Sequence, residues 1–182
     1  MSTGVAILNK APDWLPDRSD YLTLWHGCTS RDAATIQAHG IDLTRCRADS
    51  DFGQGFYLTS IRRQARHWAW FRYFGMTPQQ QQGNTAQLLR FRFPRVDFTG
   101  LKTLCFVLGD YNNLDFWSLV QHCRISTPVG TAGQSHHRYP GAVTSPDWWY
   151  DVVIGPVSAF WTQRVCMNDS DQFSFHTPDA ID

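Results

Sequence analysis

Residues 51–59 read Asp-Phe-Gly-Gln-Gly-Phe-Tyr-Leu-Thr (DFGQGFYLT). Two glycines within three positions make a flexible approach, and the apolar, aromatic run Gly55 to Thr59 after them reads as a short strand. Ser60 offers a cap for a helix over Ile61 to Phe74 (IRRQARHWAWFRYF), which Gly75 and Pro78 end. A short strand carrying Tyr57 therefore feeds directly into an amphipathic helix. No regular strand–helix–strand alternation surrounds it, so the chain falls in the α+β class.

Upstream, Tyr21 to Trp25 (YLTLW) reads as a strand that ends at His26-Gly27. Ser30 can cap a short helix to Ala38, stopped by Gly40, and residues 41–51 read as a polar loop. Downstream, Gln79 to Gln82 is a low-complexity polar loop. Strands are expected over Ala86 to Phe93, Tyr150 to Ile154 and Gln172 to Phe175, with a helix over Asp115 to Cys123. Residues 126–147 form a long loop of the kind that is often functional. Pro12 and Pro16 mark residues 1–19 as an irregular lead-in, leaving 20–182 as a single domain.

The 182 residues suffice for one sizeable core, and 42% hydrophobic against 18% charged residues excludes a disordered chain. Basic and acidic residues balance at 16 each, which argues against avid, non-specific nucleic-acid binding but leaves room for a local patch. Only Lys10 and Lys102 are lysines, so nearly every cation is the planar fork that grips phosphate. Arg62, Arg63, Arg66 and Arg72 alternate with aromatics, which suits either single-stranded nucleic acid or a solvated arginine face. Arg45 and Arg47 either hold a phosphate group or lie in a solvated loop. The five cysteines form no CxxC pair, and the spacing of His122-Cys123 and His136-His137 fits no usual metal site. The expectation is a chain without metal, disulfide framework, signal segment or membrane span, resident in the cytoplasm.

Three segments carry candidate chemistry: Trp25-His26-Gly27, the 51–59 block, and Tyr150-Asp151-Val152-Val153-Ile154-Gly155-Pro156-Val157. Each sets a polar or aromatic residue beside a glycine-bordered strand. Asp151 in a strand of valines costs several kcal/mol, on the order of 3–5, unless it is paired or used. The order His-Gly, DFGxGFYLT with Gln64-Ala65 and Trp68-Ala69, YDVVIGPV, then QFSFHT resembles bacterial toxin-like ADP-ribosyltransferase domains. These belong to the His-Tyr-acid division shared with diphtheria toxin and the poly(ADP-ribose) polymerases. The likeness runs from Leu24 to Ala180 and is most specific in the central block.

The resemblance implies two small β-sheets split around an NAD cleft with flanking helices, and NAD as co-substrate. It implies His26, Tyr57 and Asp151 as catalytic residues, and His26, Gly27, Cys28, Gly55, Phe56, Tyr57 and Gln172 as the cofactor-binding set. Asp151 stands where distant relatives carry Glu, and Gln172 is a second candidate for that position. Expulsion of nicotinamide develops charge on the ribose much as glycoside hydrolysis does. A carboxylate would stabilise that charge, Tyr57 would stack on the nicotinamide ring, and His26 would hold the ribose. The product is ADP-ribose on a protein or nucleic-acid acceptor, with hydrolysis of NAD or an inert binding module as alternatives. A toxin of this kind implies a cognate antitoxin or immunity protein.

Overall fold

The computed structural model describes residues 20–107, 114–125 and 150–181. The lead-in 1–19 and the loop 126–147 lie outside the described residues. In chain order the strands are β1 (Tyr21–Thr29), β2 (Phe56–Leu58), β3 (Ala86–Pro94), β4 (Thr103–Cys105), β5 (Val152–Gly155), β6 (Ser158–Phe160), β7 (Val165–Cys166) and β8 (Gln172–Phe175). The helices are α1 (Ser30–His39), α2 (Arg62–Phe74), α3 (Pro78–Gln81) and α4 (Leu114–Ile125).

β1 pairs antiparallel with β3 along its whole length, from Tyr21↔Pro94 to Thr29↔Ala86. It outruns its expected end at Trp25 because His26, Gly27 and Cys28 still find Leu89, Leu88 and Gln87 opposite them. Cross-strand pairing overrides the local weakness of glycine. A second sheet has the order β2-β8-β5-β4, antiparallel except for the parallel β4–β5 pair, and β6–β7 form a small ribbon. The two main sheets meet at one bridge, where Trp25 and Thr59 exchange both backbone hydrogen bonds at 2.8 and 2.9 Å. The α+β class holds.

The period of two along β2 and β5 sorts the core onto two faces. Phe56, Leu58 and Val152 join Leu24 and Phe175 on one side. Val153 joins Phe52, Phe116, Trp117, Leu119, Val120 and Cys123 on the other, with Tyr57 packed against them. α4 supplies five of those side chains at helical spacing, each worth about 1.5–3 kcal/mol if fully removed from water. α2 buries Ala65 and Ala69 toward β1.

Several local expectations change. Thr29, not Ser30, caps α1: its hydroxyl accepts from the Asp32 amide at 3.3 Å. Ser30 instead donates to Asn84 at 2.7 Å. Ser60 does not cap α2, whose first residue follows Ile61, because its hydroxyl is engaged by the Asp171 carboxylate. The glutamine run is not a loop throughout: Pro78–Gln81 close one helical turn through a Thr77–Gln80 capping box. β4, β6 and β7 are two or three residues long and carry too little periodicity to be anticipated.

Candidate functional site

The approach to β2 is not flexible. Asp51, Phe52 and Gln54 are all buried, and each is pinned to a different part of the chain. Gly53 takes φ 79°, turning the loop so that its amide bonds Ser50 and its carbonyl faces Tyr57. The Tyr57 hydroxyl donates to Gly53 O at 2.8 Å and accepts from the Phe52 amide at 2.9 Å. Gln54 Nε2 donates to the carbonyls of Leu43 and Thr44 at 3.0 and 3.2 Å.

Asp51 anchors a buried polar network. Its Oδ1 accepts from Arg124 Nε at 2.8 Å and Nη2 at 2.5 Å. Its Oδ2 accepts from the Ser158 amide and from Gln172 Nε2, both at 2.8 Å. The same Gln172 nitrogen donates to Pro156 O at 2.8 Å. Both protons of the amide are thereby committed, and Oε1 remains as the acceptor end of Gln172. A carboxylate this buried persists because four N–H donors from three residues compensate its lost hydration.

His26 and Tyr57 meet through the backbone. Thr59 turns its peptide groups toward β1 at the bridge, so Tyr57, two residues earlier, turns its own the same way. The next rung would join Tyr57 to Gly27. Instead His26 Nδ1 stands 2.8 Å from the Tyr57 carbonyl oxygen and takes its place. A carbonyl only accepts, so Nδ1 carries the proton, and Nε2 of the neutral ring is an acceptor. Burial pushes the His26 pKa below its ordinary 6.5, against the opposing pull of the Tyr57 carbonyl. The imidazole stacks on Phe56 with ring centres 4.5 Å apart. The Tyr57 phenol is pushed well above 10 by burial and stays a donor.

Alternation along β1 turns the Gly27 amide and carbonyl to the same side as those of Trp25, which pair with Thr59. Gly27 has a second constraint on its other side: a Cβ there would collide with the Ala65 carbonyl oxygen and lie 2.8 Å from the Ala69 amide. α2 thus rests on the bare backbone of β1. Gly55 is similar, since a Cβ would come within 2.6 Å of Ser174 Oγ. Cys28 is buried, and burial raises its thiol pKa to about 11.

Tyr57 lies opposite Ser174 of β8, so Gln172 is on the adjacent strand and the same face, two residues along. Asp151 is elsewhere. It precedes β5, two strand spacings or about 10 Å from β2. Its Oδ2 accepts from the Lys102 amide and its Oδ1 from the Thr177 hydroxyl, both at 2.8 Å. Its backbone bonds Lys102 O and the His176 amide. The structure therefore stacks His26 on Phe56 on one face of β2 and sets Tyr57 with Gln172 on the other, the two joined through the Tyr57 carbonyl, while Asp151 stands apart as a clamp between β4, β5 and the end of β8. Arg47 is exposed and paired with Asp49 at 2.7 Å, which leaves it committed rather than poised for a phosphate.

Sequence reasoning missed Asp51, Arg124 and Asp171. Asp171 accepts from the Thr59 hydroxyl at 2.5 Å and the Ser60 amide at 3.0 Å, while its backbone exchanges bonds with Gln64. The Gln64-Ala65 element of the motif therefore fastens α2 to the strand that carries Gln172. An aspartate heading a Phe-Gly turn was the available signal for Asp51; Arg124, 73 positions away, had none.

Fold and site define an α+β domain with a polar junction between two sheets. The chain belongs to the family described as a protein of unknown function (DUF3990), which matches residues 22–166 and so spans β1 to β7. No curated protein and no solved structure matches it.

Proposed function

We propose that the chain is an NAD-dependent ADP-ribosyltransferase that releases nicotinamide and passes ADP-ribose to a macromolecular acceptor, as a bacterial toxin or effector restrained by a cognate partner. The observation that carries this reading is the His26–Tyr57 contact, which stands where a ladder rung would join Tyr57 to Gly27. A carboxamide needs one donor and one acceptor on neighbouring backbone, and Gly27 offers both. A half-buried Tyr57 ring fixed at its hydroxyl suits stacking, because its orientation is set before a ligand arrives. His26 Nε2, an acceptor at neutral pH, suits a ribose hydroxyl.

For the third position the geometry favours Gln172 over Asp151. Gln172 is on the strand beside Tyr57, and its Oε1 is the acceptor left over by Asp51 and Pro156. Asp151 uses both carboxyl oxygens in its clamp. A second reading draws on the same observation: a neutral amide where relatives have a carboxylate fits a module that binds NAD without splitting it. Incubation of the purified chain with NAD and a cell extract tests both. Nicotinamide release with label on macromolecules supports transfer, and free ADP-ribose alone supports hydrolysis. Unchanged NAD that nonetheless binds would establish the inert module.

A further inference from the structure

The outward face of α2 is a candidate interaction surface that the NAD reading does not use. The helix carries four of the chain's 16 basic residues, Arg62, Arg63, Arg66 and Arg72, and none of its 16 acidic ones. In a molecule of zero net charge that makes α2 locally positive, with Arg63 on the outward face, Arg66 at its edge, and Arg62 and Arg72 flanking the buried Ala65 and Ala69. Arg72 is partnered by Asp32 at 3.4 Å and Arg62 lies over the Trp25 ring. Arg63 and Arg66 have no ion pair among the described residues and are exposed.

The helix exposes large rings: Trp70 at 43%, Phe71 at 63% and Phe74 at 69% on the outward face, and Trp68 at 49% on its flank, among the described residues. They are ordered in pairs, Trp68 stacked on Phe71 with centres 5.3 Å apart and Trp70 on Phe74 at 5.4 Å. With Ala65 and Ala69 inward, a turn of about 100° per residue sends Arg63, His67, Trp70, Phe71 and Phe74 outward together. A helix that enters a bilayer keeps its cations at the margins of a continuous apolar face. Here Arg63 and His67 sit in the middle of the rings. Alternating cations and flat rings match a strand whose phosphates and bases alternate.

We propose that this face of α2 binds single-stranded nucleic acid, the arginines meeting phosphates and the rings taking bases. The proposal is independent of whether the chain splits NAD. The test is fluorescence anisotropy of the full chain with a labelled oligothymidylate of about 12 nucleotides, from about 50 mM to about 200 mM salt. Binding is expected, weakening as salt rises. Replacing both Arg63→Gln and Arg66→Gln should lower the logarithmic salt slope by about 1.4, and Trp70→Ala should weaken binding about tenfold. Phe74→Ala provides a second ring variant should Trp70→Ala melt early. Absence of binding up to about 100 μM at the lower salt overturns the proposal, as does binding that none of these substitutions alters. So does displacement of the strand by polyglutamate as readily as by unlabelled strand, which would assign the face to an acidic protein. Attachment to phosphatidylserine vesicles without oligonucleotide binding would assign it to membrane instead.

Discussion

His26 and Tyr57 are joined by an imidazole-to-carbonyl contact of 2.8 Å that stands where a strand rung would otherwise be. Trp25↔Thr59 is the bridge between the two sheets among the described residues, and the Gly27 peptide groups point the same way as those of Trp25. Under the proposed function a substitution at His26 would move stability and ligand binding together.

His26→Ala removes the Nδ1 donor and the ring that covers Phe56. A stability loss of about 1–3 kcal/mol is expected from the stranded carbonyl alone. Under the proposed function NAD affinity and turnover should both fall, because a ribose contact at Nε2 would be made before any bond breaks. Urea denaturation and calorimetric titration of the same preparation separate the two effects. Unchanged affinity in a folded variant would remove His26 from the ligand site.

Tyr57→Phe separates ring from hydroxyl. Loss of the hydroxyl leaves Gly53 O and the Phe52 amide without their partner, costing about 1–3 kcal/mol of stability. Affinity for NAD should be retained in the folded fraction, since the stacking face is intact, whereas Tyr57→Ala should weaken it by about 1–3 kcal/mol. Equal loss of affinity in the two variants would contradict stacking.

Asp151 and Gln172 are expected to respond oppositely. Asp151→Ala should lower the melting temperature by releasing Lys102 and Thr177, with turnover per folded molecule little changed. Gln172→Ala should reduce turnover steeply, and a factor of about 10²–10³ is the scale for a lost preorganised contact. Single-turnover rates alongside thermal melts decide between them. The reverse pattern would return the catalytic role to Asp151.

What could be read in the sequence follows from how local each signal is. The segments Phe56–Leu58, Ala86–Pro94 and Arg62–Phe74 appeared within a residue of their expected limits, because each holds a run of β-favouring or amphipathic residues bounded by glycine or proline. β1 was cut short since Gly27 looks like a terminator until β3 is placed beside it. His26 and Tyr57 are in contact through the Tyr57 carbonyl. Nothing local to YDVVI announces that Lys102 and Thr177 occupy the Asp151 oxygens. The pinning of 51–55 was invisible for the same reason, as Arg124 and Gln172 arrive from 73 and 121 positions away.

Gly27→Ala probes the seat of α2. The added methyl would overlap backbone of Ala65 and Ala69, which cannot rotate away as a side chain can. Overpacking typically costs about 1–3 kcal/mol, and an unyielding backbone places this substitution at the upper end. The denaturant midpoint measures it. A variant as stable as the parent would mean that α2 does not rest on β1 at this point.

The acid limb of stability rests on two imidazoles, His176 buried and His26 half-buried. His176 is buried with Nδ1 2.9 Å from Gln54 O, and burial lowers its pKa from 6.5 to about 4, against the raising pull of Asp151. His26 is lowered for the same principal reason. Above pH 6.5 both rings are neutral whether the chain is folded or not, so their full contribution is present. As pH falls below 6.5 the unfolded chain takes up protons that the folded chain refuses, and stability drops. For His176 the loss continues to about pH 4 and amounts to about 3 kcal/mol. Asp42 and Asp49, held below the usual 3.8 by Thr44 and by Arg47 respectively, give up their contributions only under that window. Urea midpoints should therefore hold from pH 7.5 to about 6.5 and decline from there to pH 4.5, and His176→Gln, which can still donate to Gln54 O, should flatten the decline. A parent protein equally stable at both ends of that range would show that neither imidazole is held neutral in the core.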